Sequence, residues 1–163
     1  MPVCSKQFDL TIAIENSARI GEEQFEQVKD FSKQFISAFD IREGGTHVAI
    51  VSYGTTPVVH TRLDSYSGSV LNKRTITDEI DKIALESGNA VITNTALTEV
   101  FKTVYGDGNG ARNGTNKVIC SGVCVLRGRW RGCDPYLTYF LVPNSCHEYD
   151  TLKIIMNKRQ RNK

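Results

Sequence analysis

A carboxylate, a hydroxyl and a guanidinium follow one apolar run at two-residue intervals. They are Glu15, Ser17 and Arg19, after Phe8-Asp-Leu-Thr-Ile-Ala-Ile14. Asn16-Ser17 is turn chemistry, and helical periodicity resumes soon after. A strand that turns into a polar loop and then a helix puts that loop at the carboxyl end of the strand, where open α/β sheets bind ligands. Nucleophilic catalysis is one chemistry to weigh, with Ser17 beside Glu15 or His47. It is not expected, because no Gly-x-Ser-x-Gly elbow surrounds Ser17 and His47 opens an apolar run of its own. His47 and His60 read as packing or strand-edge residues, so an enzyme is not predicted.

Other chemistry-bearing residues point less sharply. The series Cys120-x3-Cys124-x8-Cys133-x12-Cys146-His147 contains no paired Cys-x2-Cys, which argues against zinc. Unpaired thiols are expected, since nothing in the chain secures the oxidising compartment that disulfides need. Gly106 to Gly114 is glycine-rich but has no Lys-Ser/Thr pair for phosphate, and reads as a flexible connection. Asn113-Gly-Thr115 is a glycosylation sequon in that connection, used only if the chain is secreted. The final run Lys158-Arg-Gln-Arg-Asn-Lys163 reads as a solvated tail.

The elements that must position these residues alternate in type. The 163 residues suit one domain, and 40% hydrophobic content with 23% charged residues implies a real core. A net charge of +2 gives no case for nucleic acid, and no stretch is long enough to span a membrane. The opening Met1-Pro-Val-Cys-Ser-Lys-Gln7 has no apolar core of a signal peptide. The chain is therefore expected either to stay in the cell or to be a piece of a longer secreted protein.

After the first strand, Phe25, Val28, Phe31, Phe35, Ile36 and Phe39 recur at three and four residues, one wide helical stripe. His47 to Tyr53 is the next strand, and Val58 to Leu63 returns as a hairpin after the Gly54-to-Pro57 turn. Asn72 to Ser87 reads as a helix through Ile76, Ile80 and Ile83. A polar loop runs from Gly88 to Thr95, and a third helix follows through Ala96, Val100 and Val104. Lys117 to Leu126 is the last strand of the regular pattern, weakened by Gly122. Strands alternating with helices predict an α/β fold: a doubly wound, mostly parallel sheet with helices on both faces. Beyond Leu126 the pattern fails. Residues 1–119 carry 12 Lys and Arg against 15 Asp and Glu, whereas residues 120–163 carry 8 against 3. We therefore divide the chain into an extension (1–7), a main domain (8–126) and a divergent Cys- and Arg/Lys-rich tail (127–163), with a strand expected over Tyr136–Val142 and a helix over Tyr149–Lys163.

Residues 8–119 resemble a von Willebrand factor type A domain, of the kind found in matrilins, type VI collagen and integrin I domains. The likeness rests on Phe8 to Glu15 as the opening strand, on Phe25 to Phe39 as the first helix, on Thr46 to Gly54 as the second strand, and on Thr93-Asn-Thr-Ala-Leu97 as the threonine loop. The resemblance implies a metal-ion-dependent adhesion site, with oxygens from Asp-x-Ser-x-Ser, a Thr and a later Asp. Mg²⁺ prefers such an octahedral oxygen shell. Carried across, Glu15 stands for the first Asp, Ser17 matches the first Ser, Arg19 replaces the second Ser, and Thr93 matches the Thr. After Ile119 the expected Thr-Asp-Gly is Cys120-Ser-Gly122.

A fixed cation at Arg19 repels a divalent ion and can instead pair with Glu15. We therefore expect no cofactor, with Mg²⁺ disfavoured. The resemblance further implies an extracellular, non-catalytic module that binds a matrix or cell-surface protein. It also implies that Cys4 lies where secreted members carry a bridging cysteine. Two alternatives stay open: a truncated or alternatively spliced, incomplete domain without binding activity, its sheet short of an edge strand, and a Mg²⁺-dependent domain using Ser17 and Thr93.

Overall fold

Eight successive residues of the first strand are buried, which only a central strand covered on both faces permits. The computed structural model describes residues 7–91 and 93–122. This strand, β1 (Phe8–Glu15), is followed by α1 (Glu22–Ile36), β2 (His47–Tyr53), β3 (Pro57–Thr61), α2 (Lys73–Asp81), α3 (Thr93–Glu99) and β4 (Asn116–Gly122). The sheet order is β3-β2-β1-β4. β1 pairs in parallel with β2 and β4, and β3 returns antiparallel to β2. The doubly wound α/β arrangement expected from the sequence is present.

Alternation along each strand sorts the core into two layers. Phe8, Leu10, Ile12 and Ile14 of β1 join Val48, Ile50, Val118 and Cys120 on one face, against Phe25, Val28 and Ile36 of α1 and Ile76 and Ile80 of α2. Ala13, Ala49, Val51, Tyr53 and Ile119 point to the other face, against Ala96, Val100 and Val104. Helices thus cover both faces, and the apolar periodicity of α1 is satisfied by one of them.

Cys120 lies in the first layer as an unpaired, buried thiol. Burial disfavours the thiolate and pushes its pKa up to about 12. Since the thiolate is the nucleophile, Cys120 in the folded protein is expected to resist iodoacetamide at pH 8 and to react fully in urea. Peptide mapping by mass spectrometry reads this directly. Equal labelling in both conditions would contradict the packing. Cys4, Cys124, Cys133, Cys146 and His147 lie outside the described residues, as do the strand and helix expected in the tail.

Three local expectations are corrected. α2 ends at Asp81 rather than Ser87. Its start is well capped, because the Asn72 side chain accepts from Thr75 N at 3.0 Å. Its end is overridden by tertiary bonds: Asn16 Nδ2 donates to Ala84 O (3.1 Å) and Glu86 N donates to Asn16 O (2.7 Å), drawing residues 84–86 across the end of β1. α3 begins at Thr93, inside the stretch expected as loop, and widens at Val100–Val104 into a π-helical turn. That turn closes with Tyr105 N donating to Val100 O at 3.1 Å. It brings the Tyr105 hydroxyl to the sheet, where it accepts from Thr11 Oγ1 (2.8 Å) and faces Asp9 O and Val118 O (3.1 and 2.9 Å). Burial raises the phenol's pKa, so this hydroxyl keeps its proton to donate.

The third correction concerns residues 106–115, expected as a flexible connection. Arg112 anchors them: its Nε and backbone N each reach the Asp9 carboxylate at 2.8 Å, and Nη1 and Nη2 donate to Gly45 O and Phe8 O (3.0 and 2.7 Å). Gly110 packs so closely on Asp64 that an added Cβ would lie 2.6 Å from its backbone nitrogen, and its φ is +82°.

Candidate functional site

Three segments meet at the carboxyl end of β1. Glu15, its last residue, pairs with Tyr53, and Asn16 N extends the ladder to Tyr53 O at 3.0 Å. The second segment is Gly54-Thr55, just past β2. The third is residues 84–88, held by the Asn16 bonds above and by Ala18 N donating to Gly88 O at 2.9 Å. The Glu86 carboxylate accepts from Thr55 N at 3.1 Å and lies against Gly54, where a Cβ would come within 2.7 Å of Glu86 Oε2. Only glycine at position 54 leaves room for that approach.

Glu15 is fully buried, and so is Ser17. A buried carboxylate needs partners to stay charged. Ser17 Oγ donates to Glu15 Oε1 at 3.0 Å, and Arg19 Nη2 reaches the same oxygen at 3.2 Å. Residues Ala18–Ile20 form one 3₁₀ turn, whose curl brings Arg19 back over the residue four positions earlier. The guanidinium closes the site from outside, with its side chain 49% exposed against 0% for Glu15. Glu15 Oε2 and Asn16 Oδ1 are buried without a hydrogen-bond partner among the described residues.

Of the residues expected to share a site, the fold brings Glu15, Ser17 and Arg19 together, and Thr93 stands as the first residue of α3. Asn113 is exposed in the turn before β4. Neither histidine approaches Ser17. His47 lies opposite Asp9 at the start of β2, with Nε2 2.9 Å from Glu43 O, and His60 Nε2 bonds Ser52 Oγ at 2.8 Å. Serine and His47 thus sit at opposite ends of the parallel strands, about 20 Å apart at some 3.3 Å per residue.

Sequence reasoning missed Asn16 and Glu86 as organisers of this end. Glu86-Ser-Gly88 carried a weak signal, a turn pair after the apolar run Ile83-Ala-Leu85. It also missed the Asp9–Arg112 pair, although an acid inside an all-apolar strand signals a hidden partner.

The donor set fits a divalent ion poorly. Mg²⁺ needs several free oxygens in near-octahedral array. Here Glu15 Oε1 already accepts two hydrogen bonds, one of them from a fixed cation, which leaves Oε2 as the one carboxylate oxygen of Glu15 without a partner among the described residues. Among the described residues no three His, Cys, Asp or Glu side chains converge closely enough to hold a metal.

A mixed, doubly wound sheet with polar loops gathered at the carboxyl end of its central strand defines an α/β domain of the open-sheet class. The sequence pattern of the von Willebrand factor type A domain matches residues 9–120, and the chain belongs to that family. It is 30% identical to mouse vitrin over 112 residues, covering 69% of this chain and 16% of vitrin. To mouse matrilin-3 it is 29% identical over 128 residues, 78% of this chain and 26% of matrilin-3. It therefore spans about a quarter or less of these relatives. In fold it is similar to proximal thread matrix protein 1 of the mussel byssus, with a TM-score of 0.68 at 18% identity, over 81% of this chain and 34% of that one. A further structure of that mussel protein, described as having a zinc-occupied MIDAS motif, gives a TM-score of 0.63 at 21% identity, over 74% of this chain and 29% of that one.

Proposed function

We propose that this chain is a non-catalytic protein-binding module of adhesion or matrix type, and that it engages its partner without a metal ion. The family and the relatives support the first part. Vitrin and matrilin-3 carry the same domain, and a matrix or cell-surface protein is the partner class that follows. An extracellular setting would also suit the exposed Asn113 as a glycan acceptor. Among the described residues no helix is long and apolar enough to cross a membrane.

One observation carries the second part. The mussel protein is described with zinc in its site, whereas here Arg19 Nη2 lies 3.2 Å from Glu15 Oε1 and places a fixed cation against that carboxylate. A divalent ion entering beside that guanidinium meets charge repulsion, screened by water at the half-exposed guanidinium and stronger towards the buried Glu15. Thermal unfolding in EDTA and in millimolar Mg²⁺ or Mn²⁺ should give the same midpoint. A rise of several degrees with Mn²⁺, abolished by Thr93→Ala, would overturn the metal-free reading.

A further inference from the structure

We infer that the turn at Asn113-Gly114 is a site of self-modification, where the Asn113 side chain loses its amide as ammonia and becomes aspartate or isoaspartate. The chain carries two Asn-Gly pairs close together, Asn109-Gly110 and Asn113-Gly114. The covalent chemistry available to each is the same. The glycine main-chain nitrogen gives up its proton and attacks Cγ of the preceding asparagine, closing a five-membered succinimide. The bond from Cγ to the side-chain nitrogen breaks, and that nitrogen leaves with the bonding pair and a proton as ammonia. Solvent water then opens the ring at either carbonyl. One opening gives aspartate; the other reroutes the main chain through the side chain as isoaspartate. Glycine favours the attack, because no Cβ crowds its nitrogen.

The fold treats the two pairs differently. Asn113 and Gly114 are both exposed. Neither the Asn113 side chain nor the Gly114 N–H has a hydrogen-bond partner among the described residues. A Cβ added at Gly114 would meet nothing within 4 Å, so the carboxamide has room to swing into line with the nitrogen. Asn109 is held instead. Its backbone N donates to Gly106 O at 3.3 Å, its Nδ2 lies 3.5 Å from Lys102 O, and Gly110 is pressed against Asp64. Reacting groups kept out of line forfeit most of the advantage of being neighbours. Movement at Asn113 also stays local, because Arg112 is fixed on Asp9 and β4 begins at Asn116. Conversion sets a new carboxylate directly beside Arg112. It further competes with a glycan at Asn113, since it expels the nitrogen to which the sugar would attach.

Incubation of the full chain at pH 8, with and without urea, followed by tryptic mapping tests this. Cleavage after Arg112 and Lys117 puts the two sites in separate peptides, 103–112 and 113–117. Mass spectrometry reads the gain when NH₂ is replaced by OH, and methylation by an isoaspartyl methyltransferase marks the isoaspartate. In the folded chain the 113–117 peptide should convert at least about tenfold faster than the 103–112 peptide. In urea, where both turns are released, the two rates should converge. Asn113→Gln should abolish the mass gain of the 113–117 peptide, because glutamine would have to close a less favourable six-membered ring. Equal rates in the folded chain, or faster conversion of 103–112, would overturn the inference. So would a mass gain that persists in Asn113→Gln, which would assign the reaction to Asn116.

Discussion

Arg112→Ala is expected to lower the unfolding free energy by about 3 kcal/mol, the low end of what breaking a buried ion pair costs. Asp9 is fully buried in the central strand, on the face covered by α3, and its carboxylate takes both Nε and backbone N of Arg112. The same guanidinium donates to Gly45 O and Phe8 O, so one side chain closes the β1 end of the sheet onto the 106–115 loop. Truncation removes three donors at once and strands a buried charge. The backbone N–H remains, and Arg112 itself is 23% exposed, so water reaches part of the gap and keeps the loss from the upper end of the range. Urea midpoints at constant slope measure the effect. The double variant Asp9→Ala/Arg112→Ala should lose less than the sum of the singles, because each single variant leaves the other partner unpaired. A change within about 0.5 kcal/mol for Arg112→Ala, the range of an ordinary surface substitution, would show that the clamp contributes nothing.

That clamp also marks where sequence reasoning reached its limit. Phe8 to Ile14 and His47 to Tyr53 announce buried strands because every level agrees: β-branched residues, apolar runs, and turn residues on both sides. The helix after Gly21 is legible for the same reason. Residues 106–115 are not, since four glycines within ten residues read as freedom, while Arg112 and the contact of Gly110 on Asp64 act across more than forty positions of sequence. α2 stops early on the same principle. Propensity would carry it through Leu85, but Asn16, nearly seventy positions away, claims Ala84 O and Glu86 N.

The candidate site divides in a similar way. Its place was legible from the strand–turn–helix order, and the Glu15–Arg19 contact is local enough, four positions apart, to be weighed from sequence. Burial of Glu15 beneath that contact, and the convergence of Gly54 and Glu86, depend on the sheet register and could not be read off any single segment.

Arg19→Ser is expected to turn a metal-indifferent protein into one that Mn²⁺ stabilises. In EDTA the variant should be less stable than wild type, by about 1–3 kcal/mol, because Glu15 stays buried with Ser17 as its remaining partner among the described residues. The substitution clears the fixed cation, frees one side of Glu15 Oε1 and places a second hydroxyl two residues after Ser17. Those changes supply part of what was missing for a hard cation, an oxygen donor and an uncompensated negative charge, while Cys120-Ser-Gly122 still lacks the later Asp of the pattern. Binding to the folded state alone stabilises by RT ln(1 + [L]/Kd), about 1.4 kcal/mol at tenfold excess over Kd. For a domain of this size that is a rise of several degrees in Tm. Arg19→Lys is the matching control: it keeps a charge at the site, so Mn²⁺ should do nothing for it. If Arg19→Ser proves less stable yet equally indifferent to Mn²⁺, the guanidinium is a structural partner of Glu15 and no substitute for an ion. If Mn²⁺ raises Arg19→Ser and leaves Arg19→Lys and wild type unchanged, the charge at position 19 decides whether this site takes an ion, even without the later Asp of the pattern.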